Sequence, residues 1–379
     1  MATNVLYELI QIALGNRNQL SRKPTAKEWH GIYGVVMRQA VVGIAFAGIE
    51  KLPKELMPPQ MLLFQWIGTA EQIKQQNKHV DAQTAKIWRQ LKDDGLEAAI
   101  LKGQGIAKLY DNVNENVNIN LSEYRQSGDI DIWVKGGYEK VCDYVQQTIP
   151  TDDLAYHRFH YDFFDDTEVE LHHRLTLMRN LLDDRKLSRW YNSFGADSFV
   201  YLEDKGFAVP PMEFNRVFIL THIYRHFLFE GIGLRQVIDY YFVLKANGGK
   251  DKEEVAKILK ELRLTRFAEA VMWILHTQLG LEEQYLICGI NEKEGRFVLS
   301  EIEQTGNFGR ADSRFKKMSK VRRMTKHGIH LLLHYPSEVI WTPIWLLYHR
   351  VWKWEKKREI SEIVSRSKTF QENEAKCGK

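Results

Sequence analysis

The run SGDIDIWV, residues 127–134, sets Asp129 and Asp131 one residue apart inside an apolar stretch. Side chains of a β-strand leave by alternate faces, so the two aspartates share one face while Ile130 and Ile132 share the other. Such a strand must present a charged face on one side and pack its apolar face on the other. Two like carboxylates side by side repel, and the arrangement asks for a divalent cation between them or for full solvation of that face.

Around this strand the hydrophobic period changes twice. From Thr3 to Asp94 apolar residues recur at three- and four-residue intervals, as in IYGVVMRQAVVGIAFAGI, which predicts helices broken at KLPKE and MPPQ. GLEAAILKG then gives a short apolar run ended by Gly103, a buried strand followed by a turn and the helix QGIAKLY. The Asn-rich DNVNENVNINLSE reads as an exposed loop. After the Asp-x-Asp strand, GGYEKVCDYVQQTI has helical spacing, and LAYHRFHYDFFDDTEVELHHRLTL reads as two strands joined by a turn at DDTE. From Glu213 onward the helical period returns. The expected class is therefore α+β. A small mixed β-sheet core over 95–210 is flanked by an N-terminal helical region, 1–94, and a C-terminal helical domain, 211–370, with a disordered polar tail at 371–379.

Composition narrows the function classes. The 53 Lys and Arg nearly balance 49 Asp and Glu, a net charge of +4, so no general affinity for nucleic acid and no stable nucleic-acid complex is expected. The three cysteines, Cys142, Cys288 and Cys377, are widely spaced with no Cys-x-x-Cys, as suits reduced thiols and a cytoplasmic protein. The most apolar segment, VIWTPIWLLYHRVWKW, is too short for a membrane span and is interrupted by Pro343, His349 and Arg350. Residues 313–328 concentrate Lys and Arg beside that Trp-rich run. They read as a solvated helix face or as a peripheral contact for an anionic surface.

A third acid follows in VELHH, where Glu170 lies between Val169 and Leu171; Glu168 faces the same way and is its rival. If the two strands are neighbours, Asp129, Asp131 and Glu170 converge. Three carboxylates at strand ends offer the hard oxygen ligands that suit Mg²⁺ or Mn²⁺. Two such ions about 4 Å apart hold the attacking and leaving oxygens of an in-line phosphoryl displacement.

The order LKGQG, SGDIDIW, VEL resembles the DNA polymerase β-like nucleotidyltransferase superfamily, with its glycine turn, acid-x-acid strand and later acid strand. More narrowly, AAILKGQGIAKLY, RQSGDIDIWV, VELHHRL and THIYRHF…LRQVIDYYFVL are similar to an uncharacterised bacterial nucleotidyltransferase family, over roughly residues 95–244. The resemblance implies a nucleotidyltransferase α/β core, an NTP donor and an unknown hydroxyl acceptor. It implies Asp129 and Asp131 as metal ligands, and Glu170 as a third ligand or as the base. Lys102 and Gly103 would meet the triphosphate, with Arg125, Ser127 and Gly128 in the lead-in as further phosphate contacts. The superfamily's usual Gly-Ser turn is here Gly103-Gln104, which leaves Lys102 to replace the serine contact. A second reading keeps the fold without turnover, as a nucleotide-binding regulator or antitoxin-like partner.

The histidines are weighed separately. His157 and His160, three apart on a strand, leave by opposite faces and do not chelate together. His222 and His226 share a helix face, but Ile223 stands where zinc proteases carry their glutamate, so packing is the expected role. His172 lies on the Glu170 side and is placed to orient it.

Overall fold

The computed structural model describes residues 2–112, 120–246, 248–309, 312, 314 and 318–377. The chain opens with α1 (Ala2–Ala13), α2 (Ala26–Gln39), α3 (Val42–Ile49) and α4 (Gln60–Asp93). A capping box starts α2: Thr25 Oγ1 accepts the Glu28 N–H at 3.2 Å, and Glu28 Oε2 accepts the Thr25 N–H at 2.9 Å. Every residue of α3 is buried. At Gly48 a Cβ would fall 2.3 Å from the Leu9 carbonyl oxygen, so only glycine lets α3 approach α1 this closely. Pro58 and Pro59 precede α4, which cannot begin before them.

The middle of the chain carries β1 (Ala98–Ile100), α5 (Gln104–Ala107), β2 (Ile130–Val134), α6 (Gly137–Thr148), β3 (Arg158–His160), β4 (Val169–His172), α7 (Leu181–Asn192), β5 (Val200–Leu202) and β6 (Phe207–Val209). Helices α8 (Met212–Phe229), α9 (Leu234–Ala246), α10 (Lys252–Glu261), α11 (Thr265–Leu279), α12 (Glu292–Thr305), α13 (Lys320–Leu331) and α14 (Pro336–Cys377) follow. The chain is thus α+β. Among the described residues no helix is long and apolar enough to cross a membrane.

Two compact units divide these elements, and they do not follow linear boundaries. One comprises residues 1–83, 102–127 and 210–326; the other comprises 84–101, 128–209 and 327–379. Periodicity along a sequence reports what each element is, not which elements share a core. For that reason the units are interleaved across the boundaries expected at 94 and 210, and 327–379 belongs to the unit that holds the sheet. The first unit is helical, with a core that includes Leu9, Ile44, Phe218, Leu220, Tyr240, Val271 and Ile274, all nearly inaccessible.

In the second unit β1, β2, β4 and β3 form a mixed sheet in that order. Strand β2 runs antiparallel to β1 and parallel to β4, and β3 runs antiparallel to β4. The apolar face of the central pair, Ile130, Ile132, Val134, Val169 and Leu171, is fully buried. Burying side chains of this kind contributes about 1.5–3 kcal/mol each, and this fixes the register that aims the acids. The expected β3–β4 hairpin is present.

Two elements had no counterpart in the sequence reading. The β5–β6 hairpin has strands of three residues each, too short for a period of two to show. Helix α7 buries Asp183 and Asp184 beside Leu187 and Tyr191, so its inner face does not read as apolar. Residues 113–119 of the Asn-rich segment, and 313 and 315–317 of the basic segment, lie outside the described residues. Helix α14 extends to Cys377, into the polar segment expected to be irregular; 378–379 lie outside the described residues.

Candidate metal and nucleotide site

The parallel pairing of β2 and β4 sets Asp131 directly opposite Glu170 and Trp133 opposite His172. Partners in register project from the same sheet face, with neighbouring strands about 4.8 Å apart. Strand β3 adds its own row on that face, His160 opposite Glu170 and Arg158 opposite His172. One surface of the sheet thus collects two acids, two histidines and an arginine.

Ligand atoms of Asp131, Glu170 and His172 all lie within 4.8 Å of one another, and the three residues are buried. His172 Nε2 is 2.9 Å from Asp131 Oδ1 and 3.4 Å from Glu170 Oε2. Because ionised carboxylates only accept, this nitrogen carries the proton and donates to both. Arg158 Nη1 donates to the other Glu170 oxygen at 2.7 Å. Asp129 stands one residue ahead of β2 and is half-buried; it falls outside the tight trio but bears on Glu170 through its charge. Glu168, the rival acid, is exposed, and its carbonyl accepts the Ile130 N–H at 2.9 Å.

The electrostatics follow from this crowding. Burial first, then the Asp131 charge, pushes the Glu170 carboxyl above its ordinary range, with His172 opposing and Asp129 adding to the rise. For His172, burial alone favours the neutral ring, yet hydrogen bonds to Asp131 and Glu170 outweigh it and raise the imidazole. Its neighbour His173 goes the other way: burial, with the His172 charge, pushes it down to about 3. The two neighbouring rings are thereby shifted in opposite directions.

The donor set fits a divalent cation. Asp131 and Glu170 provide hard oxygens close enough to share an ion, and their mutual repulsion is what a cation relieves. An imidazole nitrogen is a softer donor than Mg²⁺ or Mn²⁺ prefers, so His172 serves better by orienting both carboxylates than by ligating.

A family model described as "Uncharacterised nucleotidyltransferase" matches residues 25–280, more than half of the chain. The chain belongs to this nucleotidyltransferase family. No curated protein and no solved structure matches it.

The other residues expected at the site of this nucleotidyltransferase have definite surroundings. Leu101, the residue before Lys102, donates its N–H to the Asp131 carbonyl at 2.9 Å. Gly103 has φ 57° and ψ −118°, a backbone that favours glycine, and begins the short α5. Gln104, standing where the superfamily has serine, is buried and donates to Asp81. Arg125 is buried and gripped by Asp239, with Nε and Nη2 at 2.7 and 2.9 Å from its two oxygens. Two of the guanidinium's nitrogens are thus committed inside the helical unit, where Tyr110 also donates to Asp239, at 2.5 Å. Ser127 Oγ is buried with no hydrogen-bond partner among the described residues, and Gly128 is exposed.

His222 and His226 pack in α8 with ring centroids 4.3 Å apart, and His226 Nδ1 meets Glu230 at 2.7 Å. His157 sits against the His172 ring, 5.4 Å between centroids, while His160 pairs with Asp162 at 2.9 Å. Arg158 had no signal in the sequence reading, because its partner lies across a strand pair. For His172 the signal was its two-residue step from Glu170. At the carboxyl ends of β2 and β4, in the sheet unit, a cavity of about 300 Å³ is lined by Trp133, Gly136, Tyr156, His173, Arg174 and Trp352, among others.

Proposed function

We propose that this nucleotidyltransferase moves a nucleoside monophosphate from an NTP to a hydroxyl of a small acceptor, in the manner of the DNA polymerase β-like superfamily. The observation that carries the reading is the in-register pairing of Asp131 with Glu170 on adjacent parallel strands, with Asp129 just ahead of them. Mg²⁺ or Mn²⁺ held by these carboxylates supplies charge neutralisation for the triphosphate. The acceptor oxygen attacks the α-phosphorus, the bond from that phosphorus to pyrophosphate breaks, and the acceptor's proton passes to solvent. Burial and the Asp131 charge raise the proton affinity of Glu170, and a cation shared with Asp131 would offset both.

His172 and Arg158 hold the carboxylates in place. Lys102 supplies a point charge to the triphosphate, and Gly103 leaves backbone N–H groups open to its oxygens. Trp133 leaves the same sheet face as Asp131, two residues on, and lines the 300 Å³ cavity; this favours the cavity as the seat of the acceptor. Free thiols at Cys142 and Cys288 accord with a reducing, cytoplasmic setting.

The test is NTP- and Mg²⁺-dependent pyrophosphate release across a panel of hydroxyl acceptors. The double variant Asp129→Asn, Asp131→Asn is expected to lose activity by about a hundredfold or more. Full activity in that variant overturns the assignment.

A further inference from the structure

Helix α14 carries two faces with different fates. One packs inside its own unit: Glu338, Trp345 and Ile360 are buried. The rings of Trp345 and Trp352 lie 6.1 and 5.0 Å from that of Tyr156, which clusters with Leu177. Glu338 accepts the backbone N–H of Arg179 at 2.7 Å. The other face carries Ile340, Ile344, Leu347, Val351 and Trp354, which are 62, 50, 66, 56 and 62% exposed. A surface helix needs one apolar stripe to pack on its core. Here that stripe is already provided, and the second one is left over.

The spacing of the second stripe is diagnostic. Steps of four, three, four and three residues return to one line on a helix wound at 3.5 residues per turn, the seam along which two helices interlock. Ile344 and Val351 take the a positions of this heptad, with Ile340, Leu347 and Trp354 at d. Branched residues at a favour two parallel strands.

The flanks agree. Arg350 and Lys357 fall at g, Glu355 and Glu362 at e; all four are exposed, and the partners of Lys357 and Glu362 within the chain, Asp152 at 3.2 Å and Arg358 at 3.6 Å, are exposed side chains that exchange at little cost. In a parallel pair each g residue faces the next e residue of the other helix, which sets Arg350 against Glu355 and Lys357 against Glu362. An antiparallel pair sets g against g and brings Arg350 and Lys357 together instead. Lipid fits less well, because the e line continues past Trp354 into Glu355 and Glu362, charges that an anionic bilayer repels.

We infer that a second copy of this chain docks along Ile340–Trp354 of α14 as a parallel two-helix coiled coil, with Arg350 and Lys357 facing the second copy's Glu355 and Glu362. The seam is about 21 Å long at 1.5 Å per residue, so association is expected in the micromolar range rather than below it.

Sedimentation equilibrium of the full chain across micromolar concentrations tests this. A reversible dimer is expected. Arg350→Glu with Lys357→Glu weakens it by about tenfold or more, and so does Glu355→Lys with Glu362→Lys. Mixing these two double variants restores a heterodimer tighter than either homodimer. Val351→Cys, in a chain carrying Cys377→Ser, gives a disulfide-linked dimer under mild oxidation. A chain that stays monomeric overturns the inference, as does a dimer indifferent to both charge reversals and to Leu347→Lys. So does a monomer that co-sediments with phosphatidylcholine–phosphatidylserine vesicles and is released by Leu347→Lys, which assigns the stripe to a membrane.

Discussion

His172 touches both acids, and the proposed role of its ring is to hold them rather than to react. Its Nε2–H is shared between Asp131 and Glu170, which fixes the rotation of two carboxylates that would otherwise turn away from each other. Removing such an orienting partner costs about 10–100-fold in metal affinity or activity. His172→Ala is expected to lose activity on that scale and to need more Mg²⁺ for half-maximal rate. His172→Gln, which returns an N–H near the Nε2 position, is expected to recover part of both. Equal, Mg²⁺-independent losses in the two variants contradict the orienting role. This detail was partly legible in the sequence. Alternation within VELHH puts His172 on the Glu170 face, but the contact with Asp131 depends on strand pairing. The commitment of Arg125 to Asp239, 114 residues later, had no local signal at all.

At the scale of elements, α14 carries a buried carboxyl that ties its stability to pH. Glu338 is buried at its first turn and, chiefly by burial, its carboxyl is pushed up to about 7 against hydrogen bonds from the Arg179 and Asn180 backbone. In the unfolded chain the same group titrates near 4.5. Between those values the folded state binds more protons, so stability falls as pH rises. The contribution is full below about pH 4.5 and lost through pH 7, on the order of 3 kcal/mol. Glu338→Gln keeps an acceptor and removes the titration. Urea midpoints at pH 4.5 and pH 7 are therefore expected to differ less in the variant than in the parent chain, and equal differences contradict the assignment. Strand β2 and the β3–β4 hairpin were readable because one face is apolar throughout. The β5–β6 pair was not, since three residues give no period, and α7 hid behind its buried Asp183 and Asp184.

For the whole molecule, the interleaving of the two units is what the sequence conceals. The chain enters the sheet unit at residue 84, leaves it after 101, returns at 128 and again at 327. The acids all fall in the sheet unit, whereas Lys102, Gly103, Arg125 and Ser127 are carried by the helical one. Family membership over residues 25–280 spans both. The proposed activity requires Asp131 and Glu170 to hold a divalent cation jointly. Electron paramagnetic resonance of Mn²⁺, titrated with the chain and a non-hydrolysable NTP, reads this directly. The parent chain is expected to convert free Mn²⁺ to a bound signal that competes with Mg²⁺, and Asp131→Asn with Glu170→Gln is expected to abolish it. Undiminished Mn²⁺ binding in that double variant contradicts the account.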